Sequence, residues 1–258
     1  MKILVLPLVL LAPMTVFAQS PIDGVWRLNL QNTQYIGKEN FSLENTMFRC
    51  TSCNPKVDTK ADAADHPVSG SPYFDTVNVR VVDDRTVEIV YKKNGKVVNT
   101  SKMVASEDGK SMNTEFTDTT EGREKVSGHY SSTRVDPAPS SGHRISGVWQ
   151  PGKLGGISEN VMEVTYKTTG DQLSYSDKAG SSYTASFDGK DYPYKGDPGI
   201  TTVSIRRVDP NTIEETLKRD GKVVVVTRMT VATNGKTMAT STHDPVRDVT
   251  TKGTWDKK

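Results

Sequence analysis

The chain carries an alignment within itself. Residues 65–112 recur at 191–238 with a constant offset of 126, and 20 of the 48 paired positions are identical. Asp65-x-Pro67-x-x-Gly70-x-Pro72 returns as Asp191-x-Pro193-x-x-Gly196-x-Pro198, and Gly95-Lys96-Val97-Val98 returns as Gly221-Lys222-Val223-Val224. Gly24-Val25-Trp26 matches Gly147-Val148-Trp149, and Gly128-His129-Tyr130 matches Gly253-Thr254-Trp255. Each copy therefore has its own beginning and end. Features held by both copies belong to the fold, and features held by one are special function or drift.

The duplication also divides the chain. Residues 1–18 read as a secretory signal peptide: Lys2 precedes an uncharged apolar run from Ile3 to Phe17, and Val16-Phe17-Ala18 offers a small-residue cleavage pattern. The run contains Pro7 and Pro13 and falls short of the roughly 20 residues that a spanning helix needs. The expectation is an exported protein, periplasmic or secreted, without a membrane span in its mature form. Residues 19–135 form repeat 1, residues 136–144 a Pro- and Ser-rich linker, and residues 145–258 repeat 2. Lys and Arg number 33 against 31 Asp and Glu, with the signs mixed along the chain, so nucleic acid is not an expected partner.

Both copies show short period-2 segments closed by turn residues, and helical periodicity is nearly absent. In repeat 2, Thr202–Asp209, Thr212–Arg219 and Lys222–Ala232 are separated by Asp-Pro-Asn and Asp220-Gly221 corners. Repeat 1 places Asn94-Gly95 and Asp108-Gly109 at matching points. Eight or nine strands are expected per copy. A meander of that length has two exposed edges unless it closes, so the fold class expected is all-β, with two tandem antiparallel up-and-down barrels and little helix.

Here the residues resemble a known group. Gly-x-Trp on a first strand, a hairpin meander and a closing aromatic and basic strand resemble the lipocalin and fatty-acid-binding-protein superfamily. The carriers are Gly24-Val25-Trp26 with Tyr130 and Arg134, and Gly147-Val148-Trp149 with Trp255 and Lys257. The resemblance implies that the first-strand Trp packs at a closed barrel end under a basic side chain, placing Trp26 near Arg134 and Trp149 near Lys257. Trp26-Arg27-Leu28-Asn29 and Asp188-Gly189-Lys190-Asp191-Tyr192-Pro193 are similar to segments of exported bacterial proteins, a likeness that implies no activity. Pro151 to Asn160 is too short and Gly-rich for the helical lid of fatty-acid-binding proteins, so an open mouth is expected.

The candidate residues follow. Trp26, Tyr91, Met103, Trp149, Leu217 and Met229 are expected to be core or to line a ligand pocket. Register places Arg80 opposite Glu88 and Arg206 opposite Glu214; a solvent-facing ion pair that fixes register competes with a grip on a ligand carboxylate, and the ion pair is preferred. The Asp-x-Pro-x-x-Gly-x-Pro segment reads as a rigid corner outside the ladder, with a binding loop as the alternative. Cys50 and Cys53 occur only in repeat 1 and are expected to form a disulfide, against a metal site using His66 or a redox pair. None of the four histidines repeats, and nucleophile-elbow, phosphate-loop and zinc-hydrolase signatures are absent from the sequence. No catalytic residue, metal ligand or cofactor is assigned. The leading expectation is a non-catalytic, lipocalin-like binding protein for a small apolar or amphipathic molecule. The alternatives are a module that contacts an envelope protein or polysaccharide, and an enzyme with a cleft site.

Overall fold

The computed structural model describes residues 20–137 and 142–258. The proposed signal peptide and part of the linker lie outside the described residues. Repeat 1 supplies β1 Gly24–Ile36, β2 Glu39–Glu44, β3 Met47–Cys50, β4 Val57–Lys60, β5 Asp65–Pro67, β6 Thr76–Val81, β7 Thr86–Lys93, β8 Lys96–Ala105, β9 Ser111–Asp118 and β10 Val126–Arg134. Repeat 2 supplies β11 Gly147–Ile157, β12 Glu163–Thr169, β13 Gln172–Asp177, β14 Ser182–Ser186, β15 Tyr192–Lys195, β16 Thr202–Asp209, β17 Thr212–Arg219, β18 Lys222–Val231, β19 Thr237–Asp244 and β20 Val249–Lys257. One 3-10 turn, Glu159–Val161, interrupts them. The structure is two antiparallel barrels of ten strands each, one closed and one with a single unpaired seam.

The barrels do not coincide with the repeats. β1 leaves repeat 1 and pairs with β12 and β20, closing a barrel otherwise made of β12–β20. β11 leaves repeat 2 and pairs with β2 and β10. We call the first assembly the C-barrel and the second, ordered β4-β3-β2-β11-β10-β9-β8-β7-β6-β5, the N-barrel. The two first strands are reciprocally exchanged. Because both repeats share the Gly-Val-Trp start, either first strand satisfies either barrel. Only Gly37 and Lys38 separate β1 from β2, so the chain passes directly from one barrel to the other.

Alternation decides which faces point inward. Val203 and Ile205 of β16 are buried, while Arg206 between this face and the next is exposed; Val77 and Val79 of β6 show the same pattern. The hairpin corners at Asn94-Gly95 and Asp220-Gly221 have positive φ at both residues, matching the right-handed twist of the flanking strands. Arg80 faces Glu88 and Arg206 faces Glu214 in register, and each pair forms an exposed ion pair.

The surroundings of the two first-strand tryptophans explain the Gly-x-Trp signature and correct its expected partners. Trp26 and Trp149 have no exposed surface, and their indole N–H groups donate to the Ile22 carbonyl at 2.7 Å and the Ile145 carbonyl at 2.8 Å. Lys257 lies over Trp26, with Nζ 5.1 Å from the ring centre, and Arg134 lies over Trp149 at 4.2 Å. The predicted partners are thus interchanged, because each Trp moves with its exchanged strand while the basic residue stays in the last strand. Glycine is needed beside each cation: a Cβ on Gly24 would meet Lys257 Cε at 2.6 Å, and one on Gly147 would meet Arg134 Nη1 at 2.0 Å.

Three further expectations are adjusted. Each barrel has ten strands instead of eight or nine, since β15 and β5 begin within the repeated Pro-Gly motif. That motif is therefore half ladder and half corner: Pro193 pairs with Thr202 and Pro67 with Thr76, and only the following residues turn. Pro151 to Ile157 continues β11 as strand. Cys50 and Cys53 are joined as a disulfide, so neither sulfur is a thiolate metal ligand, and His66 instead contacts Asp62 at 2.7 Å.

Candidate ligand-binding site

Five of the six residues expected to line a pocket are packed into the barrel cores. Trp26, Leu217 and Met229 belong to the C-barrel core, and Trp149 and Met103 to that of the N-barrel. Tyr91 is half-buried at the margin of the N-barrel core, and it alone of the six borders a junction cavity. A small barrel can fill its interior with side chains, and large hydrophobic residues do so here.

Open space lies where the barrels meet. One cavity of about 370 Å³ is walled by Phe74, Tyr91 and Val98, with Asn99, Arg123 and Asp197 at its polar side. A larger groove of about 580 Å³ lies between Asn54, next to the disulfide, and the Val223–Val225 and Val246 wall. Tyr73 borders both spaces.

The repeated Pro-Gly motifs position this junction. Asp65 and Asp191 pair with Lys92 and Lys218, each at 2.6 Å, and tie the motif to its own barrel; the Lys92 contact also holds the Asp65 carboxyl below its ordinary range. Beyond the ladder, the two corners touch each other. Tyr73 of repeat 1 donates its hydroxyl to Asp197 Oδ1 of repeat 2 at 2.9 Å, and Arg123 reaches Asp197 Oδ2 at 2.9 Å. Gly199, the partner of Tyr73 in the repeat alignment, makes room for it: a Cβ there would stand 2.0 Å from the Tyr73 oxygen. Burial, followed by the Asp197 charge, pushes the Tyr73 hydroxyl well above the ordinary range, so it remains a donor at neutral pH.

The larger groove is amphipathic. Val223, Val224, Val225 and Ile200 give it an apolar wall, and Arg219, Lys222 and Arg247 bring cationic groups to its edge. Arg247 is already held by Asp244 at 2.7 Å. Arg219 is half-buried as a residue, and its side chain makes no hydrogen bond or ion pair among the described residues. A guanidinium, with five donors and no acceptor, is suited to an anion.

Two carboxyl groups that accept from tyrosine hydroxyls were missed in the sequence. Glu215 lies inside the C-barrel and receives the Tyr183 hydroxyl at 2.5 Å; burial pushes its carboxyl up to about 7, while the Tyr183 hydrogen bond opposes that shift. Glu39 receives the Tyr130 hydroxyl at 2.8 Å and is also pushed up, chiefly by burial. The available signal was Glu215 at the inward position that repeat 1 fills with Ile89. It is a difference between the copies, so the residues they share do not reveal it.

Among the described residues, no group of three or more His, Cys, Asp or Glu side chains could hold a metal ion, and no helix is long and apolar enough to cross a membrane. No protein-family model matches this chain, and no curated protein matches it. The barrel architecture therefore stands on the strand pairing itself.

Proposed function

We propose that this chain is an exported, non-catalytic, lipocalin-like binding protein for a small amphipathic molecule, and that the ligand lies in the groove between the barrels. The carrying observation is the juxtaposition of the valine wall with Arg219, which has no side-chain partner among the described residues, in a groove of about 580 Å³. That volume is in the range of about 300–1,000 Å³ typical of small-molecule sites. Ten-stranded barrels with a Trp held under a basic side chain support the lipocalin-like comparison. The side-chain-filled cores support a site outside the barrels.

The test uses anilinonaphthalene sulfonate, an anion with an apolar body, titrated by fluorescence into the full chain. Saturable binding is expected, weakened about tenfold by Arg219→Ala through loss of a charge-assisted contact. Absence of saturation, or unchanged affinity in that variant, refutes the groove as the site. A second reading has support from Val223 and Val246, which are 40% and 53% exposed at the groove rim. In that reading the same surface contacts an envelope protein or polysaccharide, without a small-molecule ligand.

A further inference from the structure

The repeat lets each barrel serve as a control for the other. The cavity of about 370 Å³ and the groove occupy equivalent positions in the two copies: the constant offset carries Tyr73, Phe74, Asn99 and Asp118 of the cavity onto Gly199, Ile200, Val225 and Asp244 of the groove. Tyr91, which also walls the cavity, corresponds to Leu217. The chemistry has diverged. Where the C-barrel has Ile200, Leu217 and Val225, the N-barrel has Phe74, Tyr91 and Asn99, two aromatic rings and a carboxamide.

Register sets the polar side of the cavity. Asn99 lies opposite Tyr91 on one neighbouring strand and opposite Asp118 on the other, so the three side chains stand in a row across β7, β8 and β9 on one face of the sheet. All three border the open space. The Asn99 carboxamide makes no hydrogen bond among the described residues. Asp118 accepts the Thr120 backbone N–H through Oδ1 at 2.8 Å and has no basic partner among the described residues, whereas its counterpart Asp244 is held by Arg247. Arg123 gives one N–H to Asp197, and its side chain makes no other hydrogen bond among the described residues. Phe74 and Tyr91 meet at 56° with ring centres 4.8 Å apart; they are tilted instead of stacked face to face, and both border the cavity.

We propose that this cavity is a second binding site, for a neutral pyranose sugar. An anion entering it would meet the Asp118 and Asp197 carboxylates, and a cation would meet the Arg123 guanidinium. Hydroxyl groups both donate and accept, which matches this mixed lining. One sugar hydroxyl donates to the Asp118 carboxylate, and its neighbour exchanges hydrogen bonds with the Asn99 carboxamide beside it. The C–H face of the ring packs against Phe74 and Tyr91 and removes apolar surface from water. The volume falls within the range of about 300–1,000 Å³ typical of small-molecule sites. Asn99 and Tyr91 do not border the valine groove, so the site does not depend on the reading given for that groove.

Saturation-transfer NMR on the full chain tests this, with methyl β-glucopyranoside, methyl β-galactopyranoside and methyl α-mannopyranoside as probes and glycerol as the control. Saturable transfer is expected for at least one glycoside and not for glycerol. The disaccharide of the best-bound sugar tells its source: tighter binding marks the end of a glycan chain, weaker binding a free monosaccharide, and both carry the proposed ring. Asn99→Val and Tyr91→Leu, each a change to the residue of the sister barrel, should weaken binding about fivefold. Circular dichroism reports their fold, and anilinonaphthalene sulfonate should bind them as it binds the parent. If either variant fails to fold, Asp118→Asn, which keeps an acceptor for Thr120, decides. No saturable transfer to any of the glycosides, equal transfer to glycerol, or affinity unchanged in the folded variants overturns the proposal, whether or not the groove binds its own probe.

Discussion

Replacing Glu215 by Gln should flatten the pH dependence of stability in the C-barrel. The folded-state carboxyl titrates at about 7 against an ordinary 4.5, because the barrel interior disfavours its charge. A raised acid holds its proton more tightly when folded, so its stabilising contribution is complete below 4.5 and is lost as pH rises through 7. At 1.36 kcal/mol per pH unit, the difference of about 2.5 units corresponds to about 3 kcal/mol. Gln keeps the size and an acceptor for Tyr183 but cannot ionise. Urea unfolding of both proteins from about pH 5 to about pH 8 gives the comparison, with transitions followed separately for each barrel where they do not coincide. The parent should lose about 2.5 kcal/mol relative to the Gln variant across that window, since part of the loss has already occurred by pH 5. Parallel curves would refute the burial argument. The lower limit avoids Glu163, which Lys178 and then Lys258 hold down to about 2 and whose contribution disappears only in acid.

Trp149→Ala should destabilise the N-barrel by about 3 to 5 kcal/mol in chemical denaturation, and a loss below about 1 kcal/mol would show that the ring does not anchor the core. A double-mutant cycle between Trp149 and Arg134 should give a coupling of about 0.5 to 2 kcal/mol, whereas Trp149 with Lys257 should give none. Replacing both Cys50 and Cys53 by Ser should cost little through chain closure, at the low end of about 0 to 5 kcal/mol, because the loop is so short; thermal unfolding with and without reductant measures it. Asp197→Ala removes the acceptor shared by Tyr73 and Arg123, so hydrogen exchange should quicken in both Pro-Gly corners while the distal strands remain protected.

Local structure was legible because strands advertise themselves by alternation and corners by Asn-Gly and Asp-Gly. Val203, Ile205 and Arg206 show the link from pattern to face. The disulfide was legible from two cysteines in a chain read as exported. Strand exchange was not, because the pattern of Gly147-Val148-Trp149 specifies an inward face and says nothing about which of two similar barrels receives it. The cavities formed by the two corners were hidden for a related reason: Tyr73, Gly199 and Asp197 acquire meaning only when separate repeats meet. Glu215 was concealed inside an alternating strand, where one inward carboxyl hardly disturbs the period.

Reciprocal exchange of β1 and β11 fixes the barrel junction, and cysteine trapping tests it directly. Val25 lies opposite Thr165 in the exchanged register, whereas Asn40 faces Val148. Val25→Cys with Thr165→Cys should form an intramolecular disulfide under mild oxidation, and Val25→Cys with Asn40→Cys should not, as read by nonreducing peptide mapping. Efficient linkage of positions 25 and 40, with none between 25 and 165, would contradict the exchange and return each first strand to its own repeat.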